Sequence, residues 1–105
     1  MIQNLSIDLE TRSSVAIVKS SVYRYAESDD FDILLFGVSV NHGPIRVYDL
    51  AQGDTVPAEI LKALTDNTVE KWAYNSSFER VCLSGWLRRK HPEYFSSYCD
   101  GLYLD

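Results

Sequence analysis

Between Leu5 and Glu10 the apolar residues Leu5, Ile7 and Leu9 alternate with Ser6, Asp8 and Glu10. A period of two is that of a strand with one buried face, so the pattern predicts a strand whose polar face carries both carboxylates. From Arg12 to Asp32 there is no clear period; this stretch reads as a loop with one helical turn around Val22, Tyr23, Tyr25 and Ala26. Ile33 to Val40, rich in Ile, Leu, Phe and Val, reads as a buried strand that ends at the turn Asn41-His42-Gly43-Pro44. Ile45, Val47 and Leu50 then mark a third strand, so residues 33–50 are expected to form an antiparallel hairpin beside the first strand.

Pro57 suits a first helical position, Thr55 lies in capping range, and Ile60, Leu61 and Leu64 recur at helical spacing, which predicts a helix over 57–65 ending at Asp66-Asn67. Val69 to Tyr74 follows as a strand. Phe78 to Arg89 places Phe78, Val81, Cys82, Leu83 and Trp86 on one helical face, with Asn75 or Ser76 as the cap. Pro92 to Asp105 is left unassigned. This order predicts an α/β fold, a mixed sheet with flanking helices, and nothing in it splits the 105 residues into two domains. The apolar close Leu102-Tyr103-Leu104-Asp105 reads as a cut through a longer chain.

Composition narrows the class. Hydrophobic residues make up 46% and charged residues 24%, as in an ordinary globular domain. No apolar run approaches the roughly 20 residues that span a bilayer, and no signal peptide opens the chain, so a cytoplasmic location is expected. Cys82 and Cys99 lack metal-site spacing and read as reduced thiols. A formal net charge of −5 argues against binding nucleic acid through bulk positive charge. It does not argue against a nuclease, because clustered carboxylates recruit divalent ions and those ions meet the phosphate.

Two segments carry candidate chemistry. Asp8 and Glu10 stand two apart on a strand, with Cα atoms roughly 6–7 Å apart on one face. Side chains of different length there can lean toward a common cation, although a solvated strand face shows the same spacing. The second segment, Trp72-Ala73-Tyr74-Asn75-Ser76-Ser77-Phe78-Glu79-Arg80, crosses from strand to helix. Asn75 and Glu79 lie four apart and face one cleft at the strand's carboxyl end if the helix opens there. A helix cap followed by a first-turn acid has the same composition.

Taken together, Asp8-x-Glu10 and, about sixty-five residues later, Asn75-x-x-x-Glu79 resemble the first two motifs of the DEDD superfamily of 3′–5′ exonucleases. The chain looks most like the proofreading domain of bacteriophage-type family A DNA polymerases. That likeness runs from Ser6-Ile7-Asp8-Leu9-Glu10-Thr11-Arg12-Ser13 through Val22-Tyr23-Arg24-Tyr25-Ala26, Ile33-Leu34-Leu35-Phe36 and Tyr48-Asp49-Leu50 to Ala73-Tyr74-Asn75-Ser76-Ser77-Phe78-Glu79-Arg80, roughly residues 4 to 90.

The resemblance implies an RNase H-like fold, of which residues 1–105 would be the N-terminal part of one exonuclease domain. It also implies two-metal hydrolysis, with magnesium or manganese, of the terminal phosphodiester of single-stranded DNA. Asp8, Glu10 and Glu79 would be the catalytic metal ligands; Asn75, Thr11 and Phe78 would lie on the substrate side. The partners would be a DNA 3′ end and the remainder of a polymerase chain. Two departures stand out. Many members of the superfamily have Asp where Glu79 stands, and the third motif, Tyr or His followed by three residues and Asp, is absent after Glu79. Ser96 and Gly101 occupy the positions four before Asp100 and Asp105. A fragment without that motif is expected to be inactive or nearly so.

Other features have simpler readings: His42 and His91 as turn residues, Arg88-Arg89-Lys90 as a basic helix end that complements the helix dipole, and Trp72 as a buried strand aromatic. Two alternatives to the polymerase domain stay open at this level, a non-catalytic RNase H-like interaction module and a free-standing exonuclease acting on RNA or oligonucleotides.

Overall fold

The computed structural model describes residues 1–15, 22–66, 68–73 and 76–94, with the side chains of 76 and 77 set aside. Among these residues four strands, β1 (Asn4–Arg12), β2 (Asp32–Val40), β3 (Ile45–Asp49) and β4 (Glu70–Ala73), and three α-helices, α1 (Val22–Glu27), α2 (Ala58–Leu64) and α3 (Ser76–Lys90), follow one another in the order β1-α1-β2-β3-α2-β4-α3. The strands form one mixed sheet in the order β3-β2-β1-β4. β2 pairs antiparallel with β1 and β3, whereas β4 runs parallel to β1. The expected α/β class and the hairpin are both present. No helix among the described residues is long and apolar enough to cross a membrane.

The alternation along β1 decides what each face of the sheet meets. Leu5, Ile7 and Leu9 are buried, and their neighbours Phe36 and Val38 on β2 lie on the same side. Trp86 of α3 stacks on Phe36 at 6.0 Å between ring centroids, so α3 covers this side. Val56 and Ile60, Leu61, Ala63 and Leu64 of α2 join the same core, together with Cys82, Leu83 and Leu87 of α3. α1 closes it through Ala26 and Tyr25, with Tyr25 edge-on to Phe31.

The β2–β3 connection is tight. Asn41 (φ 52°) and His42 (φ 60°) are both left-handed, and the Gly43 N–H donates to the Val40 carbonyl at 2.9 Å, the geometry of a type I′ turn. Asn41 suits that conformation better than most residues. Its side-chain oxygen also accepts from the N–H groups of Gln3 and Asn4, so the turn anchors the start of β1. Between Glu10 and Thr11 the β1–β2 register slips: Glu10 faces Leu35 while Thr11 faces Ile33. Such a bulge kinks and twists the strand just beyond the two carboxylates.

Three expectations need correction. Pro57 stands at the cap of α2, one position before the first helical residue, and offers its carbonyl to the N–H groups of Ile60 and Leu61. Ser76 is the first residue of α3 and therefore not its cap; Asn75, the other cap candidate, and Tyr74, the expected end of β4, lie outside the described residues. Trp72 is 45% exposed, while Lys71 is 2% exposed. The register explains the exchange: Lys71 pairs with Leu5 and shares its inward face, whereas Trp72 pairs with Ser6 and faces outward. The buried ammonium survives because Lys71 Nζ donates to the carbonyls of Asp66 at 2.7 Å and Val69 at 2.9 Å. Burial nevertheless lowers the Lys71 pKa, and the nearby Asp66 opposes that shift.

Candidate active site

Asp8 and Glu10 project from the outward face of β1, and both are exposed. Across the ladder from Asp8 stands Gly37. A Cβ at Gly37 would lie 3.1 Å from the Asp8 carbonyl oxygen and 3.7 Å from the Asp8 Cβ. Glycine here spares the Asp8 backbone a contact tighter than an ordinary one and lets the two strands approach closely at this position.

On the other side of β1, Ala73 at the end of β4 pairs with Ile7. The parallel register thus brings β4 to the level of Ile7, one residue before Asp8, and α3 begins at Ser76. Glu79, in the first turn of α3, is only 5% exposed, and its Oε2 has no hydrogen-bond partner among the described residues. Its pKa is raised, first by burial and further by the charge of Asp8, while a hydrogen bond to its own backbone pulls the other way. A buried carboxylate oxygen left unpaired costs about 1–3 kcal/mol or more, and the neighbouring charge of Asp8 adds a repulsion on Glu79 that a cation would relieve. One turn further along, the buried Cys82 thiol is pushed up to about 12 by the same dryness and by Glu79, so this thiol is not a nucleophile at neutral pH.

The donor chemistry fits a hard divalent cation: carboxylate oxygens, one of them buried and lacking a partner. The geometry is incomplete, because no three of the described His, Cys, Asp and Glu residues gather closely enough to hold an ion. Asp8 and Glu79 are brought into electrostatic contact; Glu10 shares the strand face with Asp8 but does not complete a trio.

The substrate-side candidates fare unequally. Thr11 hydrogen-bonds Tyr25 at 2.9 Å between the two hydroxyl oxygens. The ring of Tyr25 in turn lies 5.9 Å from that of Phe78. Thr11 and Phe78 are therefore joined into one wall by Tyr25. Nothing local marks Tyr25 for that role beyond its place in a helical turn, and Gly37 carries no local signal, since what matters is the residue it faces across the sheet.

Elsewhere, His42 sits in the exposed turn as expected. His91 packs edge-on to Trp86 at 4.9 Å and lies 3.7 Å from the Glu93 carboxylate. Arg89 extends from α3 to the Glu27 carbonyl at 2.8 Å, which makes it a cap for the end of α1.

No protein-family model matches the chain, and no solved structure matches it. Over 82 residues, 78% of its length, it is 52% identical to a DNA polymerase of Bacillus phage SP02. That stretch is 13% of the phage protein, so the chain is related to a small part of a phage DNA polymerase.

Proposed function

We propose that this chain forms the front part of the 3′–5′ exonuclease domain of a DNA polymerase, with Asp8, Glu10 and Glu79 as metal-facing carboxylates and the 3′ end of single-stranded DNA as substrate. The observation that carries the proposal is the proximity of exposed Asp8 to the buried Glu79, whose Oε2 has no hydrogen-bond partner among the described residues. It occurs in a chain related to a polymerase. The sheet order β3-β2-β1-β4, with β4 parallel to β1 and leading into the helix that bears Glu79, supports an RNase H-like reading.

Two bound magnesium or manganese ions would supply a hydroxide nucleophile and offset charge on the leaving oxygen. The protein's own share is to hold oxygen donors in place and keep part of the site dry. Asp8 is fixed by its pairing with Gly37 of β2, one residue beyond the last β1–β4 pair at Ile7. Burial raises the affinity of Glu79 for a proton, and a cation beside it would favour the ionised form. Glu10, one strand repeat beyond Asp8, extends the acidic face toward the bulge. The wall of Thr11, Tyr25 and Phe78 would support the terminal nucleotide; Asn75 belongs to the same proposal but lies outside the described residues. Among the described residues no three acids converge, which is what favours a second reading, a non-catalytic module on the same frame.

Calorimetry with manganese separates the two. The protein should take up manganese with measurable heat and Asp8→Ala should weaken uptake at least tenfold, about 1.4 kcal/mol. Identical titrations for the two proteins would sink the exonuclease reading. In a polymerase chain containing this segment, the same substitution should abolish degradation of single-stranded DNA from its 3′ end.

A further inference from the structure

Among the described strands β4 is the shortest, and its side chains say least about how it should pair: Glu70, Lys71, Trp72 and Ala73 do not alternate between apolar and polar. Register is weakly held where the pattern of side chains does not mark one face for the core. Two pairings with β1 therefore compete. In the observed one, Lys71 stands opposite Leu5, Trp72 opposite Ser6 and Ala73 opposite Ile7. One residue back along β1, Trp72 would stand opposite Leu5 and enter the core, Lys71 would turn outward, and Glu70 would meet the exposed Gln3. Hydrophobicity alone favours this second pairing, because it buries an indole that is otherwise 45% exposed and returns an ammonium to water. A slip in the other direction would set the Glu70 carboxylate against Leu5 in the core, where its charge is costly.

The observed pairing is held by the turn that precedes the strand. The Asp66 carbonyl accepts from the Val69 N–H at 3.1 Å and from Lys71 Nζ at 2.7 Å, and Nζ also donates to the Val69 carbonyl at 2.9 Å. Asp66 is itself fixed, its carboxylate accepting from the Thr68 N–H at 2.9 Å and the Thr68 hydroxyl at 2.7 Å. Both carbonyls are met on the inward side of β4, where Lys71 lies; turned outward, its side chain would leave them. Bonds assisted by a charge are roughly twice as strong as neutral ones. On the other side of the strand the Trp72 indole N–H donates to the Glu70 carboxylate, which ties the indole to the outward face.

We infer that Lys71 is a positioning residue for the candidate site: its ammonium selects the pairing that brings Ala73 level with Ile7, one residue before Asp8, and so sets where the chain enters α3 and its Glu79. In the slipped pairing Ala73 would stand beside Ser6, and the entry to α3 would fall back by about 3.3 Å, one residue of a parallel strand. The inference rests on the exonuclease reading only for what that entry serves; the choice of register does not require the carboxylates to bind metal.

Cross-strand nuclear Overhauser contacts in isotope-labelled protein report the register, and manganese calorimetry reports the site. The parent should show position 71 beside Leu5 and Ala73 beside Ile7. Lys71→Glu, which sets a negative charge against both carbonyls, should bring Trp72 beside Leu5 and Ala73 beside Ser6, and should weaken manganese uptake at least tenfold. Lys71→Ser, too short to reach either carbonyl, should make the same move and decides the matter if Lys71→Glu does not fold. Lys71→Met combined with Trp72→Thr gives β4 an alternating pattern, apolar inward and polar outward, so this double variant should keep both the parental contacts and the parental uptake. A folded Lys71→Ser that keeps position 71 beside Leu5, or that shifts register without weakening uptake, would overturn the inference. So would loss of uptake in the double variant with its register unchanged, since Lys71 would then act on the site by another route. A parent that shows the expected contacts but takes up no manganese would remove the exonuclease reading, and the register choice would then stand or fall on the contacts in Lys71→Ser.

Discussion

The two faces of the sheet use the same strands and the same hydrogen bonds, yet they live under opposite rules. Inward, Leu5, Ile7, Leu9, Phe36 and Val38 are between 0% and 8% exposed and meet the helices. Outward, the row Trp72, Ser6, Ser39, Ile45 runs across all four strands, and Asp8, Gly37, Val47 runs beside it. There Ile45 is 76% exposed and Val47 60%. The inward face fixes the register because its side chains have somewhere apolar to go, and the outward face inherits its arrangement. A slip of one residue would turn Asp8 into the core and Ile7 out of it. Asp8 and Glu10 are thus held by residues that never touch them. Glu79 breaks the division, since it carries an acid from a helix into the dry region at the sheet's edge.

The largest effect expected from disturbing this contrast comes from Phe36→Ala. Phe36 is fully buried and stacked on Trp86, and its truncation should cost about 3–5 kcal/mol, read from urea unfolding monitored by circular dichroism. A loss below 1 kcal/mol would show that the inward face does not hold the register.

Glu79→Gln should have the next largest effect and the opposite sign. Burial raises the Glu79 pKa above its usual value of 4.5, so the folded protein binds the proton more tightly than the unfolded chain does. The associated penalty is absent below the unfolded pKa and grows as pH rises through the folded one. At pH 8 and without metal, glutamine should therefore stabilise the protein by about 1–3 kcal/mol, and the gain should vanish below pH 4. A gain that does not depend on pH would mean that the carboxylate is not the source.

Smallest is the outward face itself. Val47→Thr, at a paired but exposed position, should change stability by no more than about 0.5 kcal/mol. A loss near that of Phe36→Ala would reveal that something covers this face and would erase the contrast.

Much of this architecture was legible in the residues. Alternation at Leu5, Ile7 and Leu9 marked β1 and its buried side correctly, Asn41-His42-Gly43 marked the turn, and the spacing of Cys82, Leu83 and Trp86 marked the buried side of α3. Trp72 was misplaced because β4 is short and mixed: Glu70, Lys71, Trp72 and Ala73 carry no clear alternation, and hydrophobicity favours the tryptophan for the core. Pairing of Lys71 with Leu5 overrides that preference, since two backbone carbonyls are at hand to receive the ammonium. In the candidate site, the residue types and their order were visible, but Tyr25 and Gly37 were not. Both act through a partner distant in sequence, Tyr25 through Thr11 and Gly37 through Asp8.

The sequence by itself determined the strands, the hairpin, the helices and the sharing of one strand face by Asp8 and Glu10, because these depend on side-chain period and turn chemistry within a few residues. Only the tertiary structure decided that Glu79 is buried beside Asp8 with an unpaired oxygen, and that Lys71 lies inward while Trp72 faces outward. Those outcomes depend on desolvation and on contacts between segments far apart along the chain, which no local pattern encodes.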